Sequence, residues 1–128
     1  MKDITHILCI WSKPAAGRVK LDVDGSVGQG HSGFGGIIWD EMGSNVLAYT
    51  GYNTNDSVVY QELLAIKEGL QACKMMNYAQ VEVASDSLRV VQAIKRMEEP
   101  LWFCMNVLES IFHLVPAFDY VESIFHLV

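Results

Sequence analysis

Cysteine, proline and cationic side chains are scarce in this chain of 128 residues: three Cys, three Pro, and nine Lys and Arg against fifteen Asp and Glu. Cys9, Cys73 and Cys104 are odd in number, widely spaced and without a C-x-x-C pair. They give no sign of a disulfide framework or a structural zinc site, and a reducing compartment fits best. A formal net charge of −6 argues against a module that grips nucleic acid through a broad basic surface, because phosphate binding is driven mainly by Lys and Arg. Any polyanionic partner must be met by cations. Long apolar runs are also missing. The run from Ile4 to Trp11 is interrupted by His6, is too short to span a bilayer and is followed by no small-residue cleavage pattern. These absences point to an intracellular, non-secreted chain with no membrane partner, with nucleus or cytoplasm left open; a monomer is the expected state.

What is present suits one domain of ordinary size, long enough to bury a real core. Ser12-Lys13-Pro14-Ala15-Ala16-Gly17 is a loop by composition, so residues 1–17 are expected to be a tail or linker ahead of a folded unit at 18–128. That unit opens on Lys20-Leu21-Asp22-Val23-Asp24-Gly25-Ser26. With a side-chain period of two, Leu21 and Val23 share one face and Asp22 and Asp24 the other. A buried carboxylate needs a cation or a donor beside it, although Asp24-Gly25 is equally the start of a tight turn. Gly25 to Gly33 holds too much glycine for regular structure and is expected to be a flexible connection or a loop that a phosphate or ribose can approach. Phe34 to Trp39 and Val46 to Tyr52 read as two further strands around an Asp40–Asn45 turn, completing an antiparallel meander.

The period changes near Ser57. Val59, Leu63, Ile66, Leu70 and Cys73 recur at three- and four-residue steps, the pattern of a helix with one apolar stripe. At about 100° per residue, Glu62 lies on the flank of that stripe and looks inward; a place in the first helical turn, complementing the macrodipole, is the alternative. Gln80 to Ser85 reads as a fourth strand that ends at Asp86-Ser87, ahead of a helix containing Leu88, Val91 and Ile94. Ligands of open α/β sheets collect beyond the carboxyl ends of the strands, which would bring Asp86 and Asp24 together. Capping of the helix by Asp86 or Ser87 is the competing role. Arg89, Lys95 and Arg96 read as a solvated face. After Pro100, Val107, Leu108, Ile111, Phe112 and Val115 space as another helix, stopped by Pro116.

One heptamer occurs twice. Glu109-Ser110-Ile111-Phe112-His113-Leu114-Val115 is repeated without change as Glu122-Ser123-Ile124-Phe125-His126-Leu127-Val128. Repeat architectures have periods of tens of residues, so the second copy reads as a sequence duplication. The first copy fits its helical surroundings, and the second suits a last strand.

The order of these elements resembles the type 1 ribonuclease H domain of the ribonuclease H-like superfamily, in the form found in plants and retroelement polyproteins. The resemblance rests on the lead-in Trp11-Ser12-Lys13-Pro14, the Lys20-Leu21-Asp22-Val23-Asp24-Gly25-Ser26 strand, Gln61-Glu62-Leu63-Leu64-Ala65 on a helix, and Ser85-Asp86-Ser87 after a strand. It covers roughly Trp11 to Tyr120. It implies an α/β fold with a mixed five-stranded sheet, an antiparallel three-strand meander plus parallel strands, and covering helices, lacking the C-terminal helix. It further implies that Asp24, Glu62 and Asp86 are catalytic and hold two Mg²⁺ (or Mn²⁺) ions. The implied reaction is endonucleolytic hydrolysis of the RNA strand of RNA–DNA hybrids, with Gly25 and Ser26 contacting substrate. Three acids can converge only if a cation relieves their repulsion, and oxygen ligands suit these ions. The family's fourth acid and a helpful histidine have no counterpart here, since Asp119 and Glu122 do not occupy the motif and His113 and His126 belong to the duplicated peptide. An inactive module that binds nucleic acid or a protein partner is the other expectation.

Overall fold

The computed structural model describes residues 12–28, 31–95 and 104–125. Cys9, Trp11, Gln29, Gly30, Arg96, Pro100 and His126, which entered the sequence reading, lie outside them. Five strands form one mixed sheet: β1 (Val19–Gly28), β2 (His31–Trp39), β3 (Asn45–Asn53), β4 (Gln80–Ser85) and β5 (Tyr120–Phe125). Their spatial order is β3-β2-β1-β4-β5. The first three pair antiparallel, and β4 lies parallel between β1 and β5. A parallel strand in that position is covered on both faces, and Val81 through Ser85 are all buried.

Helix α1 (Val58–Met75) lies across β1 and β2 and carries the long apolar stripe. Leu63, Ile66, Leu70 and Cys73 are at most 1% exposed, and they meet Leu21, Ile38, Val81 and Val83 in the same core. Its start is set by Ser57, whose hydroxyl accepts from the Tyr60 amide at 3.2 Å. The Tyr49 hydroxyl on β3 donates to the Ala65 carbonyl and ties the meander to the helix. Helix α2 (Leu88–Ile94) follows β4 and α3 (Met105–Leu114) packs on α1. In α2 the stripe is displaced from expectation: Val90, Val91 and Ala93 are buried while Leu88 is exposed, because the short helix meets the core along a different edge. Pro116 sits inside a 3-10 turn, Val115–Ala117, that leads into β5.

Two expectations change. The described part of the Gly25–Gly33 stretch is not irregular: β1 and β2 stay paired through Gly25–Phe34, Ser26–Gly33 and Val27–Ser32 to Gly28–His31. Ladder bonds come from the backbone, so strands poor in side chains can still pair. The turn before β3 is also shorter, since Asn45 already belongs to the strand; the Asp40 carboxylate accepts from the Met42 and Ser44 amides and closes the turn early.

The loop ahead of β1 is fastened to the sheet. The Ala15 amide donates to the Glu82 carboxylate at 2.9 Å, and the Lys20 ammonium donates to the Ser12 carbonyl at 2.6 Å. Arg18 reaches Glu82 and Glu122 at 3.5 Å each and stacks over the Tyr120 ring at 4.2 Å, joining the loop to β4 and β5. The two heptamers take different structures: the first is the body of α3, while Glu122 to Phe125 of the second is β5. Urea unfolding should rank these ties. Leu21→Ala is expected to cost roughly 2–5 kcal/mol through the cavity it leaves, and Arg18→Ala about 1 kcal/mol or less, because Arg18 and Glu122 are partly exposed and the buried Glu82 keeps the Ala15 amide as a donor.

Candidate functional site

Glu62 is a carboxylate on the buried side of a helix, 2% exposed. It is the fifth residue of α1, past the first turn, so complementing the macrodipole does not account for it. Gly25 makes room for it. A Cβ added at Gly25 would stand 2.8 Å from the Gln61 Cβ and 2.9 Å from the Glu62 amide nitrogen, so only glycine lets β1 approach the helix this closely. Behind Glu62 the carboxyl end of β4 supplies Ser85, whose hydroxyl donates to Glu62 Oε1 at 2.6 Å and accepts from the Ser87 amide at 3.1 Å.

Asp24 and Asp86 are both exposed at this end of the sheet, and both act on Glu62. Its carboxyl is pushed up to about 7, chiefly by burial; the Ser85 hydrogen bond opposes the shift, while the charge of Asp86, a hydrogen bond shared with Asp86, and the charge of Asp24 add to it. Proximity of like charges is therefore built into the site. The helix cap that competed for Asp86 is taken by its neighbour: the Ser87 hydroxyl accepts from the Val90 amide at 3.2 Å. Asp86 remains available to solvent.

Asp24 and Asp86 thus each act on the charge of Glu62. Among the described residues, no group of three or more His, Cys, Asp and Glu side chains stands close enough to hold a metal ion. Like charges at this end of the sheet repel, and a cation would relieve that repulsion. The donor set of carboxylates and a serine hydroxyl is all oxygen and fits a hard divalent ion. Of the two proposed substrate contacts, Gly25 is half-buried beneath α1 and Ser26 is exposed beside Asp24. Arg89 is exposed on α2, in keeping with a solvated face.

Sequence reading missed Gln61. Its side chain is fully buried; Nε2 donates to Asn53 Oδ1 and to the Asn55 carbonyl, and Oε1 accepts from Asn53 Nδ2, each at 2.7 Å. Asn53 and Asn55 in turn accept from the Asn55 and Ser57 amides at 2.9 Å. This network fixes the β3–α1 connection next to Glu62. A polar residue adjoining an inward-facing glutamate was the available signal, but its partners lie eight and six residues away and only the fold brings them close.

A family model described as reverse transcriptase-like matches residues 22–127. Among solved structures, the chain is similar to RNase H1 from the halophilic archaeon Halobacterium salinarum, with a TM-score of 0.79 at 17% identity over 86% of each chain. It is similar to the N-terminal RNase H domain of a Mycobacterium tuberculosis protein, solved as a fusion with maltose binding protein, with a TM-score of 0.77 at 16% identity over 84% of this chain and 86% of that one. LC11-RNase H1, isolated from compost, was solved in complex with an RNA/DNA hybrid and gives a TM-score of 0.73 at 20% identity over 85% of each chain. No curated protein matches the chain.

The raised Glu62 carboxyl has a measurable consequence. Between its ordinary value of 4.5 and about 7 the folded state binds more protons than the unfolded state, so stability falls as pH rises through that window. The expected loss is of the order of a few kcal/mol. Thermal melts of the wild type should show a decline from pH 5 to pH 8 that Glu62→Gln flattens, with the variant the more stable of the two at pH 8. Ser85→Ala, which removes the opposing hydrogen bond, should steepen the decline. Parallel melting curves for wild type and Glu62→Gln would contradict the assigned burial and repulsion.

Proposed function

The chain belongs to the reverse transcriptase-like family and has the ribonuclease H fold, and from that premise we propose that it hydrolyses the RNA strand of RNA–DNA hybrids with the help of a divalent metal ion. The observation that carries this reading is a carboxyl at Glu62 pushed up to about 7, chiefly by burial and further by the charges of Asp86 at the end of β4 and Asp24 on β1. Every charge named at Glu62 is negative, a pattern that suits a site taking a cation. The solved complex of LC11-RNase H1 with an RNA/DNA hybrid supports the choice of substrate by fold.

In this reading Asp24, Glu62 and Asp86 hold Mg²⁺ or Mn²⁺, which when bound polarises a phosphate oxygen and lowers the pKa of water. The chain's own groups do the rest. Ser85 orients the Glu62 carboxyl from behind, and that carboxyl, its affinity for a proton raised chiefly by burial, would have to give the proton up to hold the ion. Ser26 offers a hydroxyl to the sugar-phosphate chain from the exposed side of β1. The Gln61 network keeps the edge of the site rigid, so that the reacting groups need little reorganisation.

Incubation of end-labelled RNA–DNA hybrid with Mg²⁺ tests the reading. Wild-type protein is expected to cut the RNA strand and leave 5′-phosphate ends, and Asp24→Asn to lose at least about 100-fold in rate, the scale of an electrostatic contact made at the reacting atoms. Mg²⁺ should also raise the melting temperature of the wild type and not that of Asp24→Asn. Equal cleavage by the two proteins overturns the assignment. Hybrid bound but left uncut by the wild type would instead identify a nucleic-acid-binding module.

A further inference from the structure

One edge of the sheet is almost without the features that keep sheet edges apart. β3 is the outermost strand beside β2, and among the described residues no strand pairs with its outer side. Exposed edges are usually blunted by charge, by proline or by a very short strand. β3 has 9 residues, Asn45–Asn53, none of them proline and none charged, in a chain whose formal net charge is −6. The opposite edge is guarded: β5 is shorter and carries Glu122, held by Arg18. The one blunting device in β3 lies at its start, where the pairing with β2 passes from Leu47 to Asn45 and skips Val46. Leu47–Asn53 is left as a regularly paired strand.

The groups on this edge follow from the ladder. The Tyr49 and Gly51 carbonyls turn toward β2, since a Cβ added at Gly35 would stand 3.2 Å from the first and a Cβ added at Gly33 2.8 Å from the second. Alternate residues of an antiparallel strand turn their N–H and C=O groups to opposite sides, so those of Ala48, Thr50 and Tyr52 face outward. The Tyr49 side chain lies on the α1 face, which puts these three side chains on the other face. All three residues are exposed, Tyr52 to 84%.

We propose that β3 pairs antiparallel with β3 of a second copy of this chain, about a two-fold axis at Thr50. In that register Thr50 lies opposite the partner's Thr50, Ala48 opposite the partner's Tyr52, and Tyr49 opposite the partner's Gly51. Large side chains meet small ones on both faces, and no like charges are brought together. Each pair formed by Ala48, Thr50 and Tyr52 exchanges two backbone bonds. Helix α1 lies across β1 and β2, so the two α1 helices stand about 15–20 Å apart and do not collide. The contact is isologous, uses both free edges and closes at two copies. It covers one short strand, which places it among weak dimers. This replaces the monomer expected from the sequence, where an uncharged stretch reads only as a strand. The inference stands apart from hybrid hydrolysis, whose acids come from β1, α1 and the end of β4.

Sedimentation velocity tests the pairing. The wild type is expected to pass from monomer to dimer between about 10 µM and 1 mM, the range of weak contacts. Thr50→Lys and Thr50→Glu each set like charges opposite one another at the axis and should lose about 10-fold or more in affinity, with melting temperatures close to wild type because Thr50 is exposed. An equimolar mixture of the two should associate, since opposite charges then meet. Hydrogen exchange of the wild type needs no variant: the Ala48, Thr50 and Tyr52 amides should slow as concentration rises, while those of Tyr49 and Gly51 are slow throughout. A wild type that stays monomeric to about 1 mM overturns the self-pairing and leaves the edge to a strand of another protein. Dimerisation of Thr50→Lys equal to wild type, a mixture no more associated than its components, or exchange at the three outward amides that ignores concentration also overturns it. None of these results bears on Asp24-dependent cleavage.

Discussion

Burial of the Glu62 carboxyl at one end of the sheet is the constraint around which the rest is arranged. Burying Glu62 is unfavourable in its own right, and Asp24 and Asp86 add to the penalty. A fold keeps such an arrangement only if the surrounding structure imposes it. Here Gly25 lets β1 press against α1, Ser85 holds the Glu62 oxygen, Ser87 takes the helix cap and frees Asp86, and Gln61 pins the connection into the helix. The apolar stripe of α1, with Leu63, Ile66 and Leu70 in the core, provides the burial that offsets these costs.

The repeated heptamer shows how far context outweighs local preference. Residues 109–114 of the first copy lie in α3, with Ile111 fully buried and His113 bonded through Nδ1 to the Glu109 carbonyl one turn back. In the second copy, Glu122 to Phe125 pair with Glu82 to Ser85 of β4, and Glu122 faces Arg18. Ile and Phe are tolerated in helices and favoured in strands, so the peptide has no strong preference of its own. An open edge on β4 and an arginine beside it decide for the strand.

Much of the architecture was legible in the chain. Alternation in β1, the three- and four-residue spacing of α1 and the position of Glu62 on its inner flank all reappear in the structure. Other features were not. Glycine density from Gly25 to Gly33 reads as a loop, because a sequence shows missing side chains and not the ladder partners that keep the backbone paired. Leu88 reads as part of an apolar stripe and is exposed, because a helix of seven residues is too short for its periodicity to identify the buried face.

The amino-acid sequence by itself determined the kinds of element, their order and the three acids that end up near one another, since side-chain period and turn chemistry act over a few residues. Only the tertiary structure decided which groups share space: that Ser87 and not Asp86 caps α2, that Gln61 reaches Asn53 and Asn55, and that Gly33 and Gly35 open a trough between Ser26 and Tyr52. Each of those depends on distances between segments far apart along the chain, which no local pattern encodes.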